Sequence, residues 1–169
     1  MLSSETRILT ASQVRQKIKR MAFQLYENNF EEKQLILAGI SPNGYVLAEL
    51  LAAELRQIAA IDIVLLALHL DKNHTTQSHV ELKGATVGFQ QQCVVVVDDV
   101  VNSGKTLIYS LQPFLQQPIK KLQTAVLVRR EHRNFPIHAD YVGYALSTTI
   151  KQHVQVELQD TEKFGVYLY

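Results

Sequence analysis

The sequence predicts an α/β fold with a central, mainly parallel sheet flanked by helices. Three observations point to it. The chain has 169 residues, 47% of them hydrophobic, enough to bury one sizeable core and too few to divide comfortably into two. Helix-period and strand-period patterns alternate along it, without repeats or low-complexity stretches. The run Cys93–Asp99 (CVVVVDD) is apolar at consecutive positions until its end, as a strand covered on both faces requires. A single domain over residues 1–169 is therefore expected.

Val14, Ile18, Met21, Ala22 and Leu25 recur at helical spacing, so a first helix is expected over about 12–29, with Ser12 capping its start. Leu35–Ile40 (LILAGI) reads as a buried strand. After SPNG, the residues Leu47, Leu50, Leu51, Leu55 and Ile58 form the apolar stripe of a second helix. Ile61–His69 is a further strand, and the aperiodic polar stretch Asp71–His79 reads as a long exposed loop. The strand at 93–99 leads into a helix carrying Leu107, Leu111, Phe114 and Leu115, which Pro113 shortens or kinks. Gln123–Val128, Tyr141–Tyr144, Val154–Leu158 and Gly165–Leu168 complete the expected strands. The βαβ order implies right-handed crossovers, with ligands at the C-terminal ends of the strands.

Composition narrows the function classes. Seventeen basic residues against sixteen acidic ones are not the charge of a surface devoted to nucleic acid. Met1–Arg7 has no apolar h-region, and no apolar run approaches the roughly 20 residues that cross a bilayer. A cytoplasmic protein with no membrane partner is expected. The lone cysteine, Cys93, heads an apolar strand and reads as a small core residue.

The chemistry concentrates in VVVVDDVVNSGKT. Two carboxylates, Asp98 and Asp99, end the most buried strand, and the turn Asn102-Ser103-Gly104-Lys105-Thr106 then opens a helix. Amides at a helix start point outward and carry the positive end of its dipole, so this turn is suited to cradle a phosphate. Gly104 lets the backbone come close, and Ser103 and Thr106 add hydroxyls. The GKT ending is not a Walker A loop, because Asp99 stands where that loop needs a glycine. Helix capping alone does not account for two adjacent carboxylates, which repel each other without a ligand or cation.

This segment resembles the phosphoribosyl pyrophosphate (PRPP) motif of the type I phosphoribosyltransferases. ILTASQVRQKIKRMAFQLYE, LILAGISPNGYVLAELLAAEL and AVLVRREHRNFPIHADYVGYALST extend the resemblance to the PyrR branch, the pyrimidine-operon attenuation regulators with uracil phosphoribosyltransferase activity. The resemblance implies the type I phosphoribosyltransferase fold, with a small hood mainly from 129–169 and a flexible loop at about 71–80. It implies that Asp98 and Asp99 are the catalytic pair on the ribose hydroxyls, and that Asn102, Ser103, Gly104, Lys105 and Thr106 form the 5′-phosphate loop. Ser41, Pro42, Asn43 and Gly44 take the place of the pyrophosphate loop, and Asp71 and Lys72 that of the flexible loop's first residues. In HADYVG, Tyr141 is expected to stack on the base and the Val142 backbone to read its edge, with Arg129 nearby. Magnesium bound with PRPP is the implied cofactor, held by Asp98 and Asp99 indirectly, through ribose hydroxyls or water. The implied reaction is displacement of pyrophosphate from ribose C1 by a base nitrogen. The implied partners are PRPP, a nucleobase, a nucleoside monophosphate and further copies of the chain, as a homodimer or higher homo-oligomer. RNA is the implied partner of the regulatory branch.

Two departures bear on catalysis. Asn43 stands where the PyrR pattern has a basic residue, and Leu70-Asp71-Lys72 where it has an arginine-aspartate pair. Binding is therefore expected to survive better than transfer. Arg129 replaces an acid of the pattern, and Asn102 lacks the acid of the purine branch, which points away from purines. His74 and His79, and His132 and His138, lack a spacing that fixes metal ligands on one face, so surface histidines are expected. Arg129, Arg130 and Arg133, like Arg15, Lys17, Lys19 and Arg20, read by default as solvated charge. Three functions are carried forward: a working phosphoribosyltransferase directed at a pyrimidine such as uracil, an RNA-binding nucleotide sensor, and a non-catalytic nucleotide-binding protein of the same fold.

Overall fold

The apolar runs pair side by side in space. The computed structural model describes residues 5–70, 80–84 and 88–169. The chain begins with β1 (Thr6–Leu9), α1 (Ala11–Asn29), β2 (Gln34–Ile40), α2 (Asn43–Ile58), β3 (Asp62–Leu70) and β4 (Val80–Gly84). It continues with β5 (Cys93–Val101), α3 (Lys105–Ser110), α4 (Gln112–Leu115), β6 (Lys121–Arg130), β7 (Tyr141–Leu146), β8 (Val154–Glu157) and β9 (Gly165–Leu168). Six strands form the main sheet in the order β4-β3-β2-β5-β6-β7, parallel except for β4. A small antiparallel sheet, β1-β9-β8, stands beside it.

Two apolar layers cover the main sheet. Val95 and Val97 of β5 face Leu47 and Leu51 of α2 and Met21 and Leu25 of α1, while Val94 and Val96 face Leu107 of α3 and Phe114 of α4. Leu9, Val156, Phe164 and Val166 of the small sheet join the first layer, so both sheets share one core. Cys93 belongs to that layer, and burial pushes its thiol pKa up, as suits a core residue. No helix among the described residues is long and apolar enough to cross a membrane.

The strand order fixes where a ligand can sit. From β2 the chain moves to β3 on one side, then returns to place β5 on the other. The C-terminal ends of β2 and β5 therefore flank a crevice at which connections leave in opposite directions, the usual ligand position in such sheets.

Several expectations need correction. Thr10, not Ser12, caps α1: its Oγ1 accepts from the Gln13 amide, and Gln13 Oε1 accepts from the Thr10 amide. The helix expected around Pro113 is two short helices, with Pro113 at the start of α4, and Leu115 is 68% exposed. β5 continues two residues past Asp99, and the short strands β1 and β4 carried too little pattern to be foreseen. The hood assignment also shifts. Residues 129–146 largely belong to the main sheet or its connections, and the small sheet draws β1 from the other end of the chain. The expected loop at 71–79, including Asp71, Lys72, His74 and His79, lies outside the described residues.

Tyr141 cannot stack on a base as expected. It starts β7 opposite Ala125, level with Val97 of β5, and its side chain is 3% exposed within the apolar layer shared with α1 and α2. Its hydroxyl donates to Gln123 Oε1 at 2.9 Å. Val142 is similarly committed, its carbonyl accepting from Arg20 Nη2 at 3.1 Å. Tyr141→Phe should therefore lower stability by about 0.5–1.5 kcal/mol in denaturant unfolding while leaving nucleotide affinity unchanged. A large loss of affinity with normal stability would return Tyr141 to the site.

Candidate functional site

The crevice brings the turn after β2 against the end of β5. The Ser41 amide donates to the Leu68 carbonyl at 2.9 Å, and the Ser41–Pro42 bond is cis. α2 then begins so close to β5 that a Cβ on Gly44 would lie 2.5 Å from the Val97 carbonyl oxygen and 3.0 Å from Asp98 Cα. Only glycine fits there. Asn43, one residue earlier, donates from Nδ2 to Asp99 Oδ2 at 3.0 Å and to the Val156 carbonyl at 3.2 Å. It ties the turn, a carboxylate and the small sheet together.

The two carboxylates serve different spaces. Asp98 is buried, and its Oδ1 accepts from the Asp99 amide at 2.9 Å. It lines a pocket of about 210 Å³ with residues 100–107. Asp99 lines a hollow of about 620 Å³ on the small-sheet side, with Asn43, Asn102, His153, Val154, Gln155 and Tyr169 among its walls. This separation, with the Asn43 amide on Asp99, moderates the repulsion expected between adjacent acids.

The loop Asn102–Thr106 is held from behind. Gly104 has φ +86°, a left-handed conformation, and a Cβ there would lie 2.7 Å from Ile137 Cγ2. Ser103 Oγ accepts from the Lys105 amide at 3.3 Å. The Ser103 carbonyl accepts from the amides of Asn134 and Phe135 at 2.9 and 3.0 Å. The first bond within α3 runs from the Ile108 amide to the Gly104 carbonyl, so the helix itself gives the amides of Thr106 and Leu107 no partner.

Arg130, grouped with surface charge in the sequence reading, is 7% exposed. Its Nη1 donates to Asn102 Oδ1 at 2.8 Å and its Nε to Thr148 Oγ1 at 2.9 Å. Nη2 donates to the carbonyls of Thr149 and Gln152 at 3.2 and 2.6 Å. The buried cation is thus richly hydrogen-bonded, as burial requires. Arg129, expected beside the base, pairs with Glu131 at 3.0 Å. His132 Nε2 meets the Thr148 carbonyl at 2.7 Å, and His138 meets Arg133.

The structure therefore gathers Asn43, Gly44, Asp98, Asp99 and Asn102–Thr106, and leaves Tyr141 and Val142 elsewhere. Arg130, His153, Val154, Gln155 and Tyr169 were missed. A charge directly following the buried run of β6 was the signal for Arg130. No group of three or more histidine, cysteine or acidic residues with metal-site geometry occurs among the described residues. The all-oxygen donors Asp98 and Asp99 suit magnesium, a hard ion that keeps water and substrate oxygens as most of its ligands.

This fold and site define a class. Residues 4–161 match the phosphoribosyl transferase domain, and the chain belongs to the type I phosphoribosyltransferase family. Its relatives include proteins named bifunctional protein PyrR. That of Deinococcus deserti is 35% identical over 170 residues, covering 96% of this chain and 92% of the relative. That of Trichormus variabilis is 34% identical over 159 residues, covering 90% and 88%. Among solved structures, a hypoxanthine-guanine phosphoribosyltransferase from Bacillus anthracis shares the fold with TM-score 0.73 and 20% identity, covering 97% of this chain and 98% of that one. The hypoxanthine phosphoribosyltransferase of Trypanosoma cruzi gives TM-score 0.76 at 18% identity, covering 96% and 95%.

The loop geometry makes a direct prediction. Gly104→Ala places a Cβ on a left-handed residue and against Ile137, and should cost more than about 1 kcal/mol of stability. Inorganic phosphate should then protect the variant less than the native protein in thermal unfolding. Equal protection would show that phosphate does not use this loop.

Proposed function

We propose that the chain transfers the phosphoribosyl group of PRPP to a nucleobase, uracil, with release of pyrophosphate. One observation supports this most strongly: a single strand end carries both carboxylates and runs directly into the held loop Asn102–Thr106. One short stretch of backbone can thus engage ribose hydroxyls and a 5′-phosphate together.

In this reading the loop amides and hydroxyls bind the 5′-phosphate, and Asp98 and Asp99 accept from the ribose hydroxyls. Their negative charge also favours the positive character that develops on the ribose as the C1–O bond to pyrophosphate breaks and the C1–N bond forms. The base nitrogen loses its proton to solvent water as that bond forms, and pyrophosphate leaves with the electron pair of the C1–O bond. Magnesium, held through ribose hydroxyls or water by Asp98 and Asp99, would neutralise charge on the leaving group. The hollow containing His153, Val154 and Gln155 takes the base, the role first expected of Tyr141 and Val142. Homo-oligomeric assembly, implied by the resemblance, and a cytoplasmic location, expected from the sequence composition, belong to the same proposal.

Asn43 spends its amide on Asp99 and Val156, and Leu70 ends β3 as an apolar residue packed on the core. Neither brings charge to departing pyrophosphate, which supports slow transfer relative to binding. A second reading, the RNA-binding nucleotide sensor, is favoured by a hollow of about 510 Å³ where His132 and Arg133 adjoin Asn102 and Ser103. A salt-dependent RNA gel shift altered by UMP is its test.

Base-dependent release of pyrophosphate from PRPP with magnesium tests the enzyme reading. Release with uracil, below the ~1 s⁻¹ at which ordinary turnover begins, is expected. No release with any base would contradict it. Asp99→Asn should preserve the fold and weaken UMP binding by about 1.5–3 kcal/mol in calorimetric titration. Unchanged affinity would remove Asp99 from the ligand.

A further inference from the structure

Asn102 lines all three polar spaces around the strand end: the phosphate pocket, the hollow beside β8, and the hollow shared with His132 and Arg133. Its Oδ1 lies 2.8 Å from Arg130 Nη1. A guanidinium has donors only, so the Asn102 atom facing it must be the oxygen, whichever way an amide could otherwise be turned. Arg130 is buried and fixed on its other sides by Thr148, Thr149 and Gln152, so it is not free to swing away. The Asn102 NH₂ has no hydrogen bond to a described residue. A ligand group that meets Asn102 therefore meets a donor.

We propose that Asn102 is the specificity-determining donor of the base site, with Arg130 as the positioning residue that sets its polarity. The site then selects a base presenting a ring carbonyl oxygen at that point. This rests on the phosphoribosyltransferase reading. The loop supplies the 5′-phosphate's partners and Asp98 and Asp99 supply those of the ribose, which leaves the base to meet Asn102 across the hollow that holds His153 and Gln155. An amino group or protonated ring nitrogen there sets donor against donor and leaves both unpaired, a form of rejection that polar sites use effectively.

Calorimetric titration of UMP, 2-thio-UMP and 4-thio-UMP tests this. Sulfur is a weak acceptor, and each analogue replaces one exocyclic carbonyl oxygen of the base while keeping the ring N–H. The native protein should bind one analogue about 10-fold or more weakly than UMP. Asn102→Asp keeps an acceptor for Arg130 but loses the NH₂, and should bind UMP and that analogue alike. Equal native affinity for all three ligands, or undiminished discrimination in Asn102→Asp, would overturn the proposal. Arg130→Lys, which retains a donor against Asn102, should keep the ratio, and Arg130→Met should lose it. The ratio surviving in a folded Arg130→Met variant would remove Arg130's positioning role, and Asn102→Asp decides the donor even if Arg130→Met does not fold. Ribose 5-phosphate, titrated alongside, separates two failures. If neither it nor UMP binds, the underlying reading falls and takes the proposal with it; binding without discrimination defeats the proposal alone.

Discussion

The structure depends on satisfying two neighbouring carboxylates at the end of a buried strand. An ionised carboxylate removed from water without compensation is costly, so the fold must supply partners on both sides of β5. Asp98 takes the Asp99 amide, and Asp99 takes the Asn43 side chain. That second bond requires α2 to start against β5, which in turn requires the bare backbone of Gly44 beside Val97. Asn43 also reaches the Val156 carbonyl, so the position of the small sheet follows from the same contact. Crevice, helix start and small sheet are one linked arrangement.

Arg130 performs the corresponding task on the far side of the loop Asn102–Thr106. Its guanidinium joins Asn102 to the 148–152 connection, through which the chain passes from β7 to β8. The loop is held a second time where the Ser103 carbonyl receives the amides of Asn134 and Phe135. A loop with so many internal partners needs little ordering when a ligand arrives, and preorganised donors act more strongly for that reason. The elements around the crevice are thus joined by side-chain amides and one guanidinium rather than by helix packing alone.

Much of this was legible in the sequence wherever a pattern repeats. Uninterrupted apolar runs located β2, β3, β5 and β6, and the helical stripe located α1 and α2, because those elements bury their signal. VVVVDDVVNSGKT was legible because a buried strand ending in two acids and a glycine turn has few other uses. Tyr141 misled because HADYVG suggested a ligand surface, whereas its ring is buried in the layer shared with α1, an outcome that requires knowing which face of β7 it occupies. The basic residues misled for a related reason. Arg15 lies over the Phe164 ring at 4.7 Å and Lys17 over Tyr144 at 5.1 Å, while Arg20 donates to the Gly143 carbonyl at 2.6 Å. Such charges are spent on tertiary contacts, and no local spacing distinguishes them from solvated ones. Gln155 lies on β8 and His153 just before it, and the pattern of so short a strand locates the strand without marking which residues line the hollow.

The central claim is that residues 102–106 form the phosphate cradle of the site. Amide chemical shifts from nuclear magnetic resonance, followed during titration with ribose 5-phosphate, test it most directly. The account predicts that the largest changes fall on the amides of Ser103, Gly104, Lys105 and Thr106, where the open helix start meets the phosphate. Changes centred instead on Arg133 and His138, with the 102–106 amides unmoved, would contradict it.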